Sequence, residues 1–288
     1  MTGFLILFGV WLVAGVIFHQ LERRAPIMKD YSTGYPRRGY VADVLWTAVN
    51  GPGLTQLEKI AFTFLVTLVP TWHSAMGHWS LWLQFLVVFL VNDFGRYWLH
   101  RWYHEFELLW RVHRVHHTVV HMDAMSVFRH HIFEAVVKNG LLFLPFRLLG
   151  VEAEVFIIYS AIDVVKGYWH HANLRTYIGP LNYVFNSPEL HWWHHSVESK
   201  GMMANYGSVL SIWDLLFGTF YYPGTWPEKI GVVGMDNFPD DFVGQLTSVR
   251  FTEPEALRRF GSEQTPAPSA ARQSADPPPD ASLAPRHT

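Results

Sequence analysis

Leu99 to Asp123 reads LHRWYHEFELLWRVHRVHHTVVHMD and carries six histidines in 25 residues. His100 and His104 form His-x-x-x-His, and His113, His116 and His117 form His-x-x-His-His. The second spacing returns in HWWHH at His191, His194 and His195, and between the repeats lies WHHAN with His170 and His171. On a helix, residues four apart share a face, so His100 and His104 can reach one ion, and in each repeat offsets of three and four put the outer two rings on one face beside the first. An isolated imidazole usually makes one hydrogen bond in a half-buried place, which accounts for His19, His73, His78, His121 and His287. The clusters differ, because many adjacent imidazoles in an apolar region want partners, and metal coordination satisfies them together. Eight or more such nitrogens exceed what one zinc or iron ion holds, so the count points to two ions. Imidazole suits Fe, Zn, Cu or Ni, and a structural zinc site closes with four ligands. A surplus of neutral donors therefore fits a redox-capable pair, without the Glu-x-x-His ligands of soluble di-iron bundles.

Composition sets the surroundings of these motifs. The 288 residues are 50% hydrophobic and 16% aromatic, with a mean hydropathy of +0.09. Only 16% are charged, against about 25% in soluble domains, which points to a membrane protein. A net charge of −2 gives no basis for nucleic-acid binding. Cysteine is absent, which excludes disulfides, thiolate zinc sites, iron–sulfur clusters and cysteine nucleophiles.

The elements that must position the histidines are apolar segments, and the expected fold class is all-α: an integral membrane helical protein of about four spans or re-entrant helices. Gly3–Phe18 is an uncharged apolar run followed by Arg23 and Arg24, which the positive-inside rule puts in the cytoplasm. A polar connector, Ala25 to Gly53, precedes apolar segments at Leu57–Trp72 and Leu81–His100. Ile132–Val165 gives two short arms joined by LPFRLLGVEAE, where Pro145 and Gly150 mark a break. Arg101–Arg129 and Lys166–Lys200 then share the cytoplasmic face and form a histidine-rich helical cap, with His73 and His78 on the other side. Ile212–Arg259 reads as water-soluble or interfacial. From Gly261 the Pro, Ala and Ser content marks a disordered tail. The expected organisation is a membrane anchor and connector at 1–53, a catalytic domain at 54–260 and the tail at 261–288.

HRWYH, HRVHH and HWWHH, in this order after apolar spans, resemble the fatty acid hydroxylase superfamily of membrane di-iron enzymes, with the sterol desaturases and C4-methyl sterol oxidases as the most similar branch. The resemblance runs from about Asn92 to Thr219 and includes FRHHIFEA, HHAN, NYG and WDLLFGT. In FRHHIFEA, Ile132 stands where the family usually has proline. The resemblance implies metal ligands at His100, His104, His113, His116, His117, His191, His194 and His195, with His171 as a ninth. His170 is less securely matched. It places His131 beside the ligands, with Asp93, Glu134, Asp163, Asn173 and Asp214 as candidate partners that orient them. Helix capping, or pairing with Arg96, Arg101 or Arg129, is the competing role for each of these.

The implied activity is hydroxylation or desaturation of a lipid, sterol-like or fatty acyl, with two Fe ions, O2 and external electrons. There is no Gly-x-Gly-x-x-Gly fingerprint for flavin or nicotinamide, so a separate donor is implied: a ferredoxin, a cytochrome b5-like protein or a reductase. Arg111, Arg114 and Lys200 are candidates for its docking face, against ordinary snorkelling at the interface. Trp102, Trp110, Trp169, Trp192 and Trp193 either line a groove for lipid or anchor the interface. Two rival readings are a histidine-rich membrane metal transporter and a zinc-dependent membrane hydrolase. The first would hold ligands near the bilayer midplane, and the second would need about three ligands.

Overall fold

The computed structural model describes residues 2–28, 38–53, 64, 68, 75–235 and 237–250. Most of the apolar segment Leu57–Trp72, His73, the tail from Gly261 and both expected domain boundaries lie outside the described residues or at their edge. The described regular structure is helical, with only the isolated bridges Phe185–Leu210 and Ser196–Ile230. In chain order the helices are α1 (Thr2–Arg24), α2 (Tyr40–Ala48), α3 (Leu81–Glu105), α4 (Glu107–His117), α5 (Ile132–Leu148) and α6 (Ala153–His171). Short helices follow: α7 (Pro188–His194), α8 (Ser199–Met202), α9 (Ile212–Phe217) and α10 (Phe242–Thr247).

Among the described residues, α1 is the one helix both long and apolar enough to cross a membrane. Its Arg23 and Arg24 also complement the negative end of the helix dipole. α1 packs along α6, around Ala14, Phe128, Tyr168 and Ala172. Its last turn is tied to the histidine region by Glu22, whose Oε1 accepts the backbone N–H groups of Ala124 and Asn173, both at 2.7 Å.

α3 begins at Ser80, whose hydroxyl accepts the N–H of Leu83. It is apolar on the outside and polar on the inside. Gln84, Asn92, Asp93 and Arg96 are buried, while Trp82, Leu83, Leu86, Leu90, Val91 and Phe94 are exposed. Arg96 makes both ends of a bidentate pair with Asp163 on α6, at 2.5 and 2.9 Å. The two short arms expected here are α5 and α6, and the break between them falls at Gly150 alone. Its φ of 82° suits a residue without Cβ, whereas α5 runs through Pro145 for one more turn. Met76, Val88, Phe146, Val151, Val155 and Tyr159 close this end of the bundle. The histidine motifs occupy the opposite end, at the C-termini of α3 and α6 and along α4 and α7.

Candidate metal centre

α3 and α4 meet at Phe106, an extended residue between the two helices that turns His113–His117 back against His100 and His104. α6 delivers His171 in its last turn, and α7, started by Pro188, brings in His191 and His194. Nine histidine rings converge there in two groups, with the nitrogens of each group within 4.8 Å of one another. His100, His104, His113, His117 and His194 make up the first, and His116, His171, His191 and His195 the second. All nine sequence-predicted ligand positions are thus brought together.

His100 and His104 enter one group, as their spacing allows, whereas each repeat is divided between the two. In each His-x-x-His-His the outer pair, four apart, enters one group and the middle residue enters the other. His113 and His117 go to the first with His116 in the second, while His191 and His195 go to the second with His194 in the first. An offset of four keeps two rings nearly aligned on a helix, and an offset of three turns the middle ring to the flank. The rings of His117 and His195 stack at 4.4 Å and 17° where the two groups adjoin.

The Nε2 atoms crowd together as donors around a shared cation would. His104 and His113 each place Nε2 3.1 Å from that of His117, and His171 is 3.1 Å from both His116 and His191. Two nitrogens bound side by side on one ion at about 2.0–2.1 Å would stand about 2.8–3.4 Å apart. Four of the Nδ1 atoms are committed to backbone carbonyls. His100 Nδ1 donates to the Tyr206 carbonyl at 3.0 Å, and His194 Nδ1 to Ala204 at 2.7 Å. His116 Nδ1 donates to Arg129 and His171 Nδ1 to Gly167, each at 3.0 Å. A carbonyl only accepts, so the proton sits on Nδ1 and Nε2 is a bare lone pair. The Nε2 atoms of His116 and His171 therefore face each other as two acceptors. Those of His100 and His194 are buried with no hydrogen-bond partner among the described residues. The donor set fits a metal ion in each group. Burial, reinforced by the neighbouring imidazoles, pushes His104, His116, His117, His191, His194 and His195 well below the ordinary 6.5, so the rings stay neutral and able to ligate.

Of the expected supporting residues, Glu134 touches a candidate ligand, with its Oε2 3.1 Å from His113 Nδ1. His131 does not. Its Nδ1 caps α5 by accepting the Phe133 N–H, and its Nε2 donates to the Leu246 carbonyl at 2.9 Å. His170 donates Nε2–H to the Asn186 carbonyl and lies in neither group, although its ring is 5.3 Å from that of His191. Asp93 accepts from Val209, Leu210 and Trp213, Asp163 pairs with Arg96, and Asn173 holds the chain at Ile27 and Met28. Arg129 pairs with Asp43, which fixes the carbonyl that receives His116. Arg114 is fully buried and donates to the Ser248 carbonyl, so it leaves the candidate docking face. Trp192 and Trp193 are buried, while Trp110, half-buried, lies 5.2 Å from His104 and 5.5 Å from His117. Sequence reasoning missed Tyr103, stacked on His113, and Tyr206, packed against His100, His104 and His194. Both sit inside quoted motifs, HRWYH and NYG, and those motifs were the available signal.

Residues 85–219 match the family model described as fatty acid hydroxylase. An ornithine lipid hydroxylase of Rhizobium tropici is 37% identical over 223 residues, covering 74% of this chain and 66% of that protein. An alkylglycerol monooxygenase of Danio rerio is 34% identical over 149 residues, covering 52% of this chain and 31% of its own length. Methylsterol monooxygenase 1-3 of Arabidopsis thaliana is 27% identical over 145 residues, 47% of each chain. The chain thus spans just under two thirds of the first of these relatives and about a third of the second. No solved structure matches. The matched region contains all nine converging histidines, Glu134 and the NYG and WDLLFGT motifs, and residues 85–219 are a fatty acid hydroxylase domain.

Proposed function

We propose that the protein is a membrane-bound, O2-dependent lipid hydroxylase whose two iron ions are ligated by the nine converging histidines. Site 1 comprises His100, His104, His113, His117 and His194, and site 2 comprises His116, His171, His191 and His195. The observation that carries this reading is the close approach of Nε2 atoms, 3.1 Å apart within both groups, with those of His116 and His171 facing each other as two acceptors. When bound, the iron pair supplies O2 activation: with two electrons and two protons from outside, one oxygen atom enters a C–H bond and the other leaves as water.

The chain's own residues divide the remaining work. Backbone carbonyls and Glu134 orient the rings. The four rings of site 2 are buried, whereas His100 and His104 of site 1 are half-buried, so site 1 is the approachable one. Trp110 covers its outer side, beside the exposed Trp102, Phe106 and Leu108. The lipid carbon reaches site 1 past this apolar corner. The relatives are named as hydroxylases and monooxygenases, which favours oxygen insertion over desaturation. Their named substrates, ornithine lipid, alkylglycerol and methylsterol, support a lipid as substrate.

Membrane placement rests on α1 and on the outward apolar face of α3, with the histidine cap on the cytoplasmic side that Arg23 and Arg24 select. Electrons come from a separate protein, a ferredoxin, a cytochrome b5-like protein or a reductase. The clusters lie at helix ends, not at mid-span, which weighs against a transporter, and nine donors exceed the needs of a zinc hydrolase. The test is iron content and Mössbauer spectroscopy of detergent-purified protein from iron-supplemented cells, followed by lipid profiles with and without the protein. About two irons per chain in nitrogen-rich sites, with a hydroxylated lipid, is the expected result. One zinc ion or no metal would overturn it.

A further inference from the structure

Two of the five site 1 rings come from different helices, yet they lean on one short loop. His194 of α7 donates Nδ1–H to the Ala204 carbonyl, and His100 of α3 donates to the Tyr206 carbonyl. Between these two carbonyls sits Asn205, a non-glycine residue at φ 57°. Its side chain grips both flanks: Nδ2 donates to the carbonyls of Leu190 and Tyr221, and Oδ1 accepts the Tyr221 N–H. The other end of the loop is held by Asp214 of α9, fully buried. Its Oδ1 accepts the Tyr206 N–H at 2.8 Å and the Thr219 hydroxyl at 2.7 Å, and its Oδ2 accepts the Gly207 N–H at 2.8 Å. Gly207 has no room for a side chain, since a Cβ there would meet the Leu210 carbonyl oxygen at 2.5 Å and Asp214 Oδ2 at 2.7 Å. No ring of site 2 touches this loop through a hydrogen bond; His116 and His171 lean instead on Arg129 and Gly167.

We infer that Asp214 is a positioning residue for one metal of the pair: through the Ala204–Gly207 loop it fixes the tautomer and direction of His100 and His194, and thereby the affinity of site 1 alone. This rests on the di-iron reading above. A carboxylate suits the position because it accepts from three donors and offers none, whereas an amide must turn an N–H towards one of them. The link also gives NYG and WDLLFGT, separated in sequence, a single shared task.

The test compares wild type, Asp214→Asn and the milder Thr219→Val, each titrated anaerobically with Fe(II) alone and read by iron content and Mössbauer spectra. Loss of a partner that orients a ligand costs about 10–100-fold in metal affinity. Asp214→Asn should weaken one iron by that factor, leave the other at wild-type affinity and remove one of two iron signals. Thr219→Val should weaken the same iron by less. The proposal is overturned if Asp214→Asn binds two irons with unchanged spectra, or if both irons weaken equally in both variants, as a merely structural role would require. A wild-type chain that takes up no iron would sink the di-iron reading itself, and this inference with it.

Discussion

Each His-x-x-His-His divides its donors between the two groups, so single substitutions should be selective. His116 belongs to the fully buried second group and His194 to the first. His116→Ala and His194→Ala should each lower iron by about one equivalent, from different sites, and cut turnover by more than about 100-fold, since loss of an outer partner alone costs 10–100-fold. Iron analysis with Mössbauer spectra of the two variants would show complementary signals; the same signal lost in both would refute the partition. His131→Ala should behave differently. The ring caps α5 and holds the Leu246 carbonyl without meeting a candidate ligand. The variant should keep both irons and lose about 1 kcal/mol of stability, the usual worth of an N-cap. Lost iron at unchanged melting temperature would contradict this.

The helices show how far the sequence could be read. Spacing marked eight of the nine histidines, because helical offsets of three and four are written directly in the chain, whereas His171 entered only through the family resemblance of HHAN. It could not mark which ring joins which group, since that depends on how α3, α4, α6 and α7 cross. Nor could it mark the acceptors of His100, His116, His171 and His194, because all four are backbone carbonyls and leave no residue signature. α3 illustrates the opposite difficulty. Its buried Gln84, Asn92, Asp93 and Arg96 dilute its hydropathy, although its outer face is Trp82, Leu86, Leu90 and Val91. An apolar exterior around a polar interior is the pattern expected of a helix that faces lipid. Val91 is half-exposed on that face, near the middle of the apolar stretch. Val91→Lys should cost about 2.5–3.5 kcal/mol at insertion and lower the membrane-integrated fraction. Normal integration, measured by carbonate extraction, would show that this face does not meet lipid.

At the scale of the whole molecule, the concentration of neutral imidazoles couples stability and metal retention to pH. Six candidate ligands, His104, His116, His117, His191, His194 and His195, are held well below 6.5 by burial. Unfolded, each would titrate near the ordinary 6.5. Below that value the unfolded chain therefore binds more protons than the folded one, and acid favours unfolding. Stability from these groups is complete above about pH 7.5 and falls as pH drops through 6.5 towards the depressed folded-state values, by up to about 1.4 kcal/mol per pH unit for each ring. Bound metal deepens the dependence, because a protonated ring cannot ligate and iron is released as the rings charge. Metal-free protein in detergent should thus melt at nearly constant temperature from pH 8 to 7 and at steadily lower temperature from pH 6.5 to 5.5. Iron-loaded protein should lose metal over the same lower interval. Because the folded-state values are lowered, an increase of stability on acidification would be the wrong sign. A flat profile between pH 7.5 and 5.5 in the metal-free protein would mean that these rings are hydrated and titrate freely, contrary to the burial that the two-group arrangement requires.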